Sequence, residues 1–202
     1  MVVINHTENR KAYKLVPITG TIMESKEGKV IKLFFENPTR EWHFEEIVKE
    51  ADIARSKADN WLKKFAADRL IRRVKKRGRM PFYISNYTSP EYKNKKKLFA
   101  LGKLYESGLL NHLHSLKKAK TVILFGSFSR SDWYENSDID VFIYGDSEGL
   151  KIADYELKLH RNIQLFLCQG KEELSNLGEA LIRNIIKGNL IKGNLDWVEI
   201  NA

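Results

Sequence analysis

The chain has 202 residues, with 35 Lys and Arg against 26 Asp and Glu and a formal net charge of +9. One cysteine, Cys168, rules out an intramolecular disulfide, and no apolar run approaches the ~20 residues of a membrane helix. The N-terminus lacks a secretory apolar region, so a cytoplasmic protein with no membrane partner is expected. The length allows two small domains, each with its own core. Charge is uneven along the chain. Residues 1–100 hold 23 Lys and Arg against 12 Asp and Glu (net +11), and residues 101–202 hold 12 against 14 (net −2). A polyanionic partner is therefore expected for the first half.

Met1 to Ile4 and Leu15 to Ile18 are short apolar stretches that could add edge strands. Lys26 to Glu36 is predicted as a helix with Val30, Ile31, Phe34 and Phe35 on one side, ended by Asn37-Pro38. His43 to Ala51 is a second helix, with Phe44, Ile47, Val48 and Ala51 at i, i+3, i+4 and i+7. After a turn at Asp52-Ile53, Arg55 to Asp68 is a third helix, with Ala58, Trp61, Leu62 and Phe65 inward. Ser56 is its expected N-cap, with Asp59 three residues on. Leu70 to Val74 and Pro81 to Ser85 form a hairpin around the basic turn Lys75 to Arg79.

Three helices followed by a hairpin resemble the winged helix-turn-helix domain of small bacterial and archaeal regulators. The resemblance covers about residues 25–88. It is carried by Phe44-x-x-Ile47, Ala54-x-Ser56, Trp61-Leu62, Asp68-Arg69-Leu70-Ile71 and Gly78-Arg79-x-Pro81-x-Tyr83. It implies that the third helix enters a DNA groove, with Arg55, Ser56, Lys57, Asp59, Asn60 and Lys63 facing the bases. Arg72, Arg73, Lys75, Lys76, Arg77 and Arg79 would hold phosphates, which positions the domain without reading sequence. The alternative is a winged helix used for protein contacts alone.

Tyr87 to Lys97 is polar and turn-rich, and is expected to join domains at residues 1–92 and 93–202. Leu98 to Leu116 is predicted as one linking helix. Its Leu101, Leu104, Leu109 and Leu113 suit either a homodimer seam or packing within the chain. His112 and His114, two apart, face different sides and make no metal pair.

Val122 to Phe125 is an apolar run that breaks at Gly126-Ser127, where a strand turns into a helix. Backbone N–H groups there can cradle a phosphate. The next run carries Asp138 and Asp140, which share one face of a strand. Two carboxylates on one face repel unless a cation lies between them, and Mg²⁺ commonly takes such a pair plus substrate phosphates. Leu150 to His160 is a helix, Ile163 to Cys168 a strand, and Leu174 to Ile185 a closing helix. Gly188 to Ile191 and Leu195 to Val198 are turns with short strands. Cys168 is expected as a buried strand residue.

Gly126, Ser127, Arg130, Ser137, Asp138, Asp140 and Val141 resemble the pattern of the nucleotidyltransferase superfamily related to DNA polymerase beta. The likeness is to its minimal nucleotidyltransferase branch and covers about residues 100–200. Ser131 stands where that pattern usually has Gly. The resemblance implies an α/β fold with a small mixed sheet flanked by helices, behind an α+β winged helix. It implies Mg²⁺ or Mn²⁺ held by Asp138 and Asp140. It implies an NTP, ATP in the first place, with phosphates at Gly126, Ser127 and Arg130. The superfamily's third carboxylate falls at Gln164, which offers a neutral oxygen and no base. Three functions follow. The chain is a DNA-binding protein that transfers a nucleoside monophosphate to a hydroxyl. Alternatively, it is a transcriptional regulator that senses a nucleotide or partner through a weak or inactive transferase domain. The third is an antitoxin-like transferase acting on a protein acceptor.

Overall fold

The computed structural model describes residues 25–198. The apolar stretches expected at Met1–Ile4 and Leu15–Ile18 lie outside the described residues. Helix α1, Lys26–Glu36, starts where the Ser25 side chain accepts a hydrogen bond from the Gly28 N–H, and it buries Val30, Ile31, Phe34 and Phe35. This satisfies one of the orphan donors of the first turn. Strand β1, Trp42–His43, leads into α2, Phe44–Ala51, where the His43 N–H donates to Glu46 at 2.8 Å. Asp52 then adopts a left-handed backbone (φ 49°) and stops the helix. Helix α3, Arg55–Ala67, buries Ala58, Leu62 and Phe65.

The cap of α3 differs from expectation. Ala54 holds the extended N-cap position, and Ser56 lies inside the first turn. No side-chain cap bond forms at this end, and Ser56, already at a helical position, does not act as the N-cap. Strands β2, Ile71–Val74, and β3, Phe82–Ser85, pair antiparallel, with Arg73 opposite Tyr83. β1 adds to β3, giving a three-stranded sheet in the order β1-β3-β2. The two-residue strand β1 is too short to show a period in sequence.

The expected junction at Tyr87–Lys97 is mostly helical. Helix α4 runs Pro90–Glu106, with the Ser89 hydroxyl accepting from the Tyr92 N–H and Pro90 in the first turn. Ser-Pro is a helix start, and it outweighs the polar composition that suggested a turn. The single helix expected over Leu98–Leu116 is interrupted. Gly108, in a left-handed conformation (φ 86°), separates α4 from α5, Leu109–Ser115. Leu104, Leu109 and Leu113 are buried in the protein's own core, and Leu101 packs against it. These leucines do not form a free dimer seam.

The second sheet holds β4, Ala119–Phe125, β5, Ile139–Gly145, β6, Ile163–Cys168, and β7, Asn189–Lys192, in the order β6-β5-β4-β7. β4 lies antiparallel to β5 and β7, and β5 lies parallel to β6. It is the small mixed sheet the sequence led one to expect. Helix α6, Gly126–Arg130, follows β4, and α7, Ala153–Leu159, crosses from β5 to β6. The closing helix is two pieces, α8, Lys171–Ser175, and α9, Glu179–Ile186, broken at Leu177-Gly178. The strand expected at Leu195–Val198 is a turn, where Trp197 is buried against Phe142 and Tyr144.

Strand alternation sends Val122, Leu124, Val141 and Ile143 into one core, and Ile123, Phe125, Phe142 and Cys168 into another below α9. The first core is continuous with that of the N-terminal helices. Phe35 of α1 packs edge-on to Tyr92, Phe99 and Trp133, and Trp133 stacks on Phe99 and Phe128. Among the described residues, no helix is long and apolar enough to cross a membrane.

Candidate functional site

β4 ends at Phe125, and the chain turns at once into α6 through Gly126 with φ +69°. Glycine is needed here for two reasons. A side chain would strain that backbone. A Cβ would also stand 1.8 Å from the Asp140 carboxylate oxygen Oδ2 and 2.8 Å from its Cγ. The carboxylate therefore occupies the space that the glycine leaves. Strand register puts it there, since Phe125 pairs with Asp140 across β4 and β5.

On its other side, Asp140 pairs with Gln164 across the parallel strands β5 and β6. Paired residues of adjacent strands project to the same face. Contrary to expectation, Asp138 does not share that strand: β5 starts at Ile139, and Asp138 lies in the preceding turn, near enough for its charge to act on Asp140. The register puts Gln164, the position where the resemblance would have a third carboxylate, beside Asp140. Asp140 is half-buried while Asp138 and Gln164 are exposed. Burial, and then the negative charge of Asp138, push the Asp140 carboxyl above the usual carboxylate range, and Arg130 opposes them. A divalent cation between the two carboxylates would relieve both effects. With the amide oxygen of Gln164 alongside, the donors are all oxygen, which suits Mg²⁺ or Mn²⁺. Among the described residues, no group of three or more His, Cys, Asp and Glu is arranged to hold a metal. The pair would need substrate phosphates or water to complete a coordination shell.

Arg130 closes one side of the site. Its Nε donates to Asp132 at 3.0 Å and its Nη1 to Asn184 of α9 at 2.9 Å. Ser127 lies half-exposed in the first turn of α6. Ser131 has the left-handed backbone (φ +67°) that ends α6, which explains the glycine usual in the resembled pattern. Cys168 is buried, and burial pushes its thiol up. It has the inert environment expected of a packing residue.

Two buried cations that the sequence reading did not single out hold the turn leading to Asp138. The Lys96 ammonium donates to the Trp133 carbonyl at 2.6 Å and faces the Trp133 ring at 4.5 Å. Burial lowers its pKa to about 8. Arg161 donates to the Tyr134 carbonyl at 2.8 Å and the Ser137 carbonyl at 3.0 Å, and to Glu36 of α1 at 3.2 Å. These partners lie 24 to 125 positions away in sequence, so no local pattern marks them.

The basic residues singled out earlier all lie exposed. Arg55, Ser56, Lys57, Asn60 and Lys63 are on α3, and Arg72 and Arg73 are on β2. Lys75, Lys76, Arg77 and Arg79 are in the turn that follows. Some carry intramolecular partners. Arg55 pairs with Glu45, Lys63 with Asp59 at 2.7 Å, and Lys76 with Glu41 at 3.3 Å. Exposed pairs of this kind contribute little and can exchange for phosphates.

Comparison with known proteins agrees with this geometry for the C-terminal half. Residues 109–195 match the polymerase beta nucleotidyltransferase domain. The chain belongs to this nucleotidyltransferase family. A Methanocaldococcus jannaschii protein named "Putative protein adenylyltransferase" is 34% identical over 74 residues, which cover 35% of this chain and 74% of that protein. No solved structure matches the chain.

Proposed function

We propose that the chain transfers a nucleoside monophosphate from an NTP, ATP in the first place, to a hydroxyl on a protein. The observation that carries this reading is the fit of the Asp140 carboxylate into the space left by Gly126, within the segment matched to the family. The name of the M. jannaschii relative supports AMP as the group transferred and a protein as the acceptor.

In this reading Gly126, Ser127 and Arg130 hold the triphosphate. Asp138 and Asp140 hold Mg²⁺ or Mn²⁺, which when bound neutralises the phosphates and the charge that develops during transfer. The acceptor oxygen attacks the α-phosphorus, the bond to the β-phosphate oxygen breaks, and pyrophosphate leaves. Gln164 cannot take the acceptor proton, so it passes to solvent. The chain's own contribution is positioning and fixed charge, which dominate in phosphoryl chemistry.

Residues 1–92 are proposed as a winged helix-turn-helix unit that binds DNA, and residues 93–202 as the transferase unit. The exposed cations of α3, β2 and the following turn support DNA as the partner. A homodimer on paired half-sites would need a surface other than the buried leucines of α4 and α5. Gln164 beside Asp140 favours a second reading, a regulator that binds nucleotide without turning it over.

The experiment is incubation with ATP labelled at the α- or the γ-phosphate, with Mg²⁺ or Mn²⁺ and candidate acceptor proteins. Label from the α-phosphate alone, lost in Asp140→Asn, is expected. ATP binding without any transfer would select the regulator. Absence of both binding and transfer would remove the nucleotide reading.

A further inference from the structure

We propose that Arg161 is a positioning residue for the carboxylate pair, and that Glu36 of α1 holds it in place, so that the N-terminal helix is built into the nucleotide site. The inference rests on the reading of Asp138 and Asp140 as the metal-holding pair. Its basis is the set of groups that one buried guanidinium joins.

The Arg161 side chain is 6% exposed and that of Glu36 11%. One nitrogen, Nη1, donates to both the Tyr134 and the Ser137 carbonyls. These are the ends of the turn that delivers Asp138. The turn is closed by the Ser137 N–H on the Tyr134 carbonyl at 3.1 Å, and by the Tyr134 N–H on the Ser137 hydroxyl at 2.8 Å. The other nitrogen, Nη2, meets Glu36 at 3.2 Å. The guanidinium carbon lies 5.3 Å from the ring centroids of Phe128 and of Trp133. Phe128 belongs to α6, the helix that begins at Gly126. Arg161 therefore touches the phosphate-side helix, the turn before Asp138 and α1 at once.

Glu36 is fixed by side chain and main chain. Its carboxylate meets Arg161 and, at 3.6 Å, Lys32 of α1, and its backbone carbonyl accepts from the Glu135 N–H at 3.1 Å, in the middle of the same turn. The C-terminal end of α1 thus clasps the turn by side chain and main chain together. A planar fork with several donors is what this geometry uses. Lysine would carry the charge, but its single nitrogen cannot reproduce the planar fork that meets the two carbonyls through Nη1 and the carboxylate through Nη2. Partners one shell behind a metal ligand commonly change metal affinity by about 10- to 100-fold when altered.

The test uses the full chain with Mn²⁺ as probe metal in the presence of ATP. Protein-bound Mn²⁺ is read from the rise in water proton relaxation above that of Mn²⁺–ATP alone, with the thermal midpoint measured beside it. Arg161→Lys is expected to weaken Mn²⁺ binding about tenfold or more. Glu36→Gln should weaken it in the same direction by less, and it carries the test if Arg161→Lys does not fold. In an Asp138→Asn background, Arg161→Lys should cause little further loss, because it acts through Asp138. Lower midpoints with unchanged Mn²⁺ affinity in both variants overturn the proposal, and so does an equal loss with and without Asp138. In either case a loss in Asp138→Asn alone leaves the transferase reading standing. If wild type and Asp138→Asn bind Mn²⁺ alike, the carboxylate-pair reading falls and the positioning role with it.

Discussion

Gly126 and Asp140 share one volume: the carboxylate of Asp140 fills the place where a side chain at position 126 would stand. This couples the turn after β4 to the acidic strand β5. Gly126→Ala must both strain a backbone at φ +69° and displace Oδ2, which would be 1.8 Å from the new methyl. A stability loss of about 1–3 kcal/mol is expected, with loss of metal-dependent ATP binding. In an Asp140→Ala background the same substitution should cost less, since only the backbone strain remains. Urea denaturation of the four proteins checks this; equal costs in both backgrounds would mean the two residues do not compete for space.

Ser131 gives the opposite case. It holds φ +67° without being glycine. Ser131→Gly relieves that strain but frees the unfolded chain, so the gain should be small, about 0–1 kcal/mol. Chemical denaturation should show a midpoint equal to or above wild type. A clear loss would mean that the buried hydroxyl contributes more than the strain costs.

Lys96 predicts an unusual pH dependence. Burial depresses its pKa from 10.5 to about 8 in the folded protein. The unfolded chain then binds more protons between pH 8 and 10.5, so this lysine makes stability rise with pH in that window. Its contribution should be of order 1–2 kcal/mol between pH 8 and 10, at about 1.4 kcal/mol per pKa unit, discounted for relaxation. Lys96→Met removes the contribution. The difference between wild type and variant in urea, at pH 7.5 and 9.5, isolates it from other titrating groups. A constant difference would show that Lys96 stays charged with an ordinary pKa.

The parts legible in sequence are those with a local signature. The Gly126-Ser127 break and the Asp138-x-Asp140 spacing mark the two halves of the candidate site, and the register of β5 and β6 sets Gln164 beside Asp140. Ser89-Pro90 was equally local, but the polar run around it masked a helix start. What composition and periodicity cannot carry is contact across distance. Arg161 looks like a solvated residue after a helix, and Glu36 like the last exposed turn of another. Lys96 sits among Lys93, Lys95 and Lys97, and only packing of α4 against Trp133 turns it inward. The fused core has the same origin, since Phe35, Phe99 and Trp133 meet only after both halves have formed.

The basic face of the first half makes a prediction about salt. Arg72, Lys75, Arg77 and Arg79 are exposed on β2 and its turn, clear of the ion pairs that hold Arg55, Lys63 and Lys76. Neutralising the four together should flatten the dependence of log affinity on log salt by about three to four, near 0.9 per phosphate contact. Lys57→Ala or Asn60→Ala on α3 should instead change which duplex is preferred. Fluorescence anisotropy with labelled duplexes between 50 and 200 mM salt, about the range over which such contacts are lost, reads both effects. An unchanged slope would remove this face from any DNA contact.

The final prediction concerns Gln164. It lies opposite Asp140 in register and exposed on the same face, so an anion there would meet the same metal. Asp138→Asn and Asp140→Asn each remove one of two charges, and each should severely weaken Mg²⁺-dependent ATP binding. The loss should exceed that in a three-carboxylate site, where the remaining pair could still hold a cation. Gln164→Asp should have the reverse effect. It adds a third anionic oxygen, strengthening metal binding, and supplies a base for the acceptor hydroxyl. Without metal, the same change should raise the Asp140 pKa further, because it adds a like charge beside a carboxyl that Asp138 already pushes up. Calorimetry of Mg²⁺–ATP binding and α-phosphate labelling of acceptor proteins would be run on all four proteins. Labelling by Gln164→Asp but not by wild type would identify the natural protein as a nucleotide-binding regulator. Labelling by wild type that Gln164→Asp does not improve would show that an amide oxygen suffices and that solvent takes the proton. Binding unchanged in both asparagine variants would move the nucleotide away from this face of the sheet.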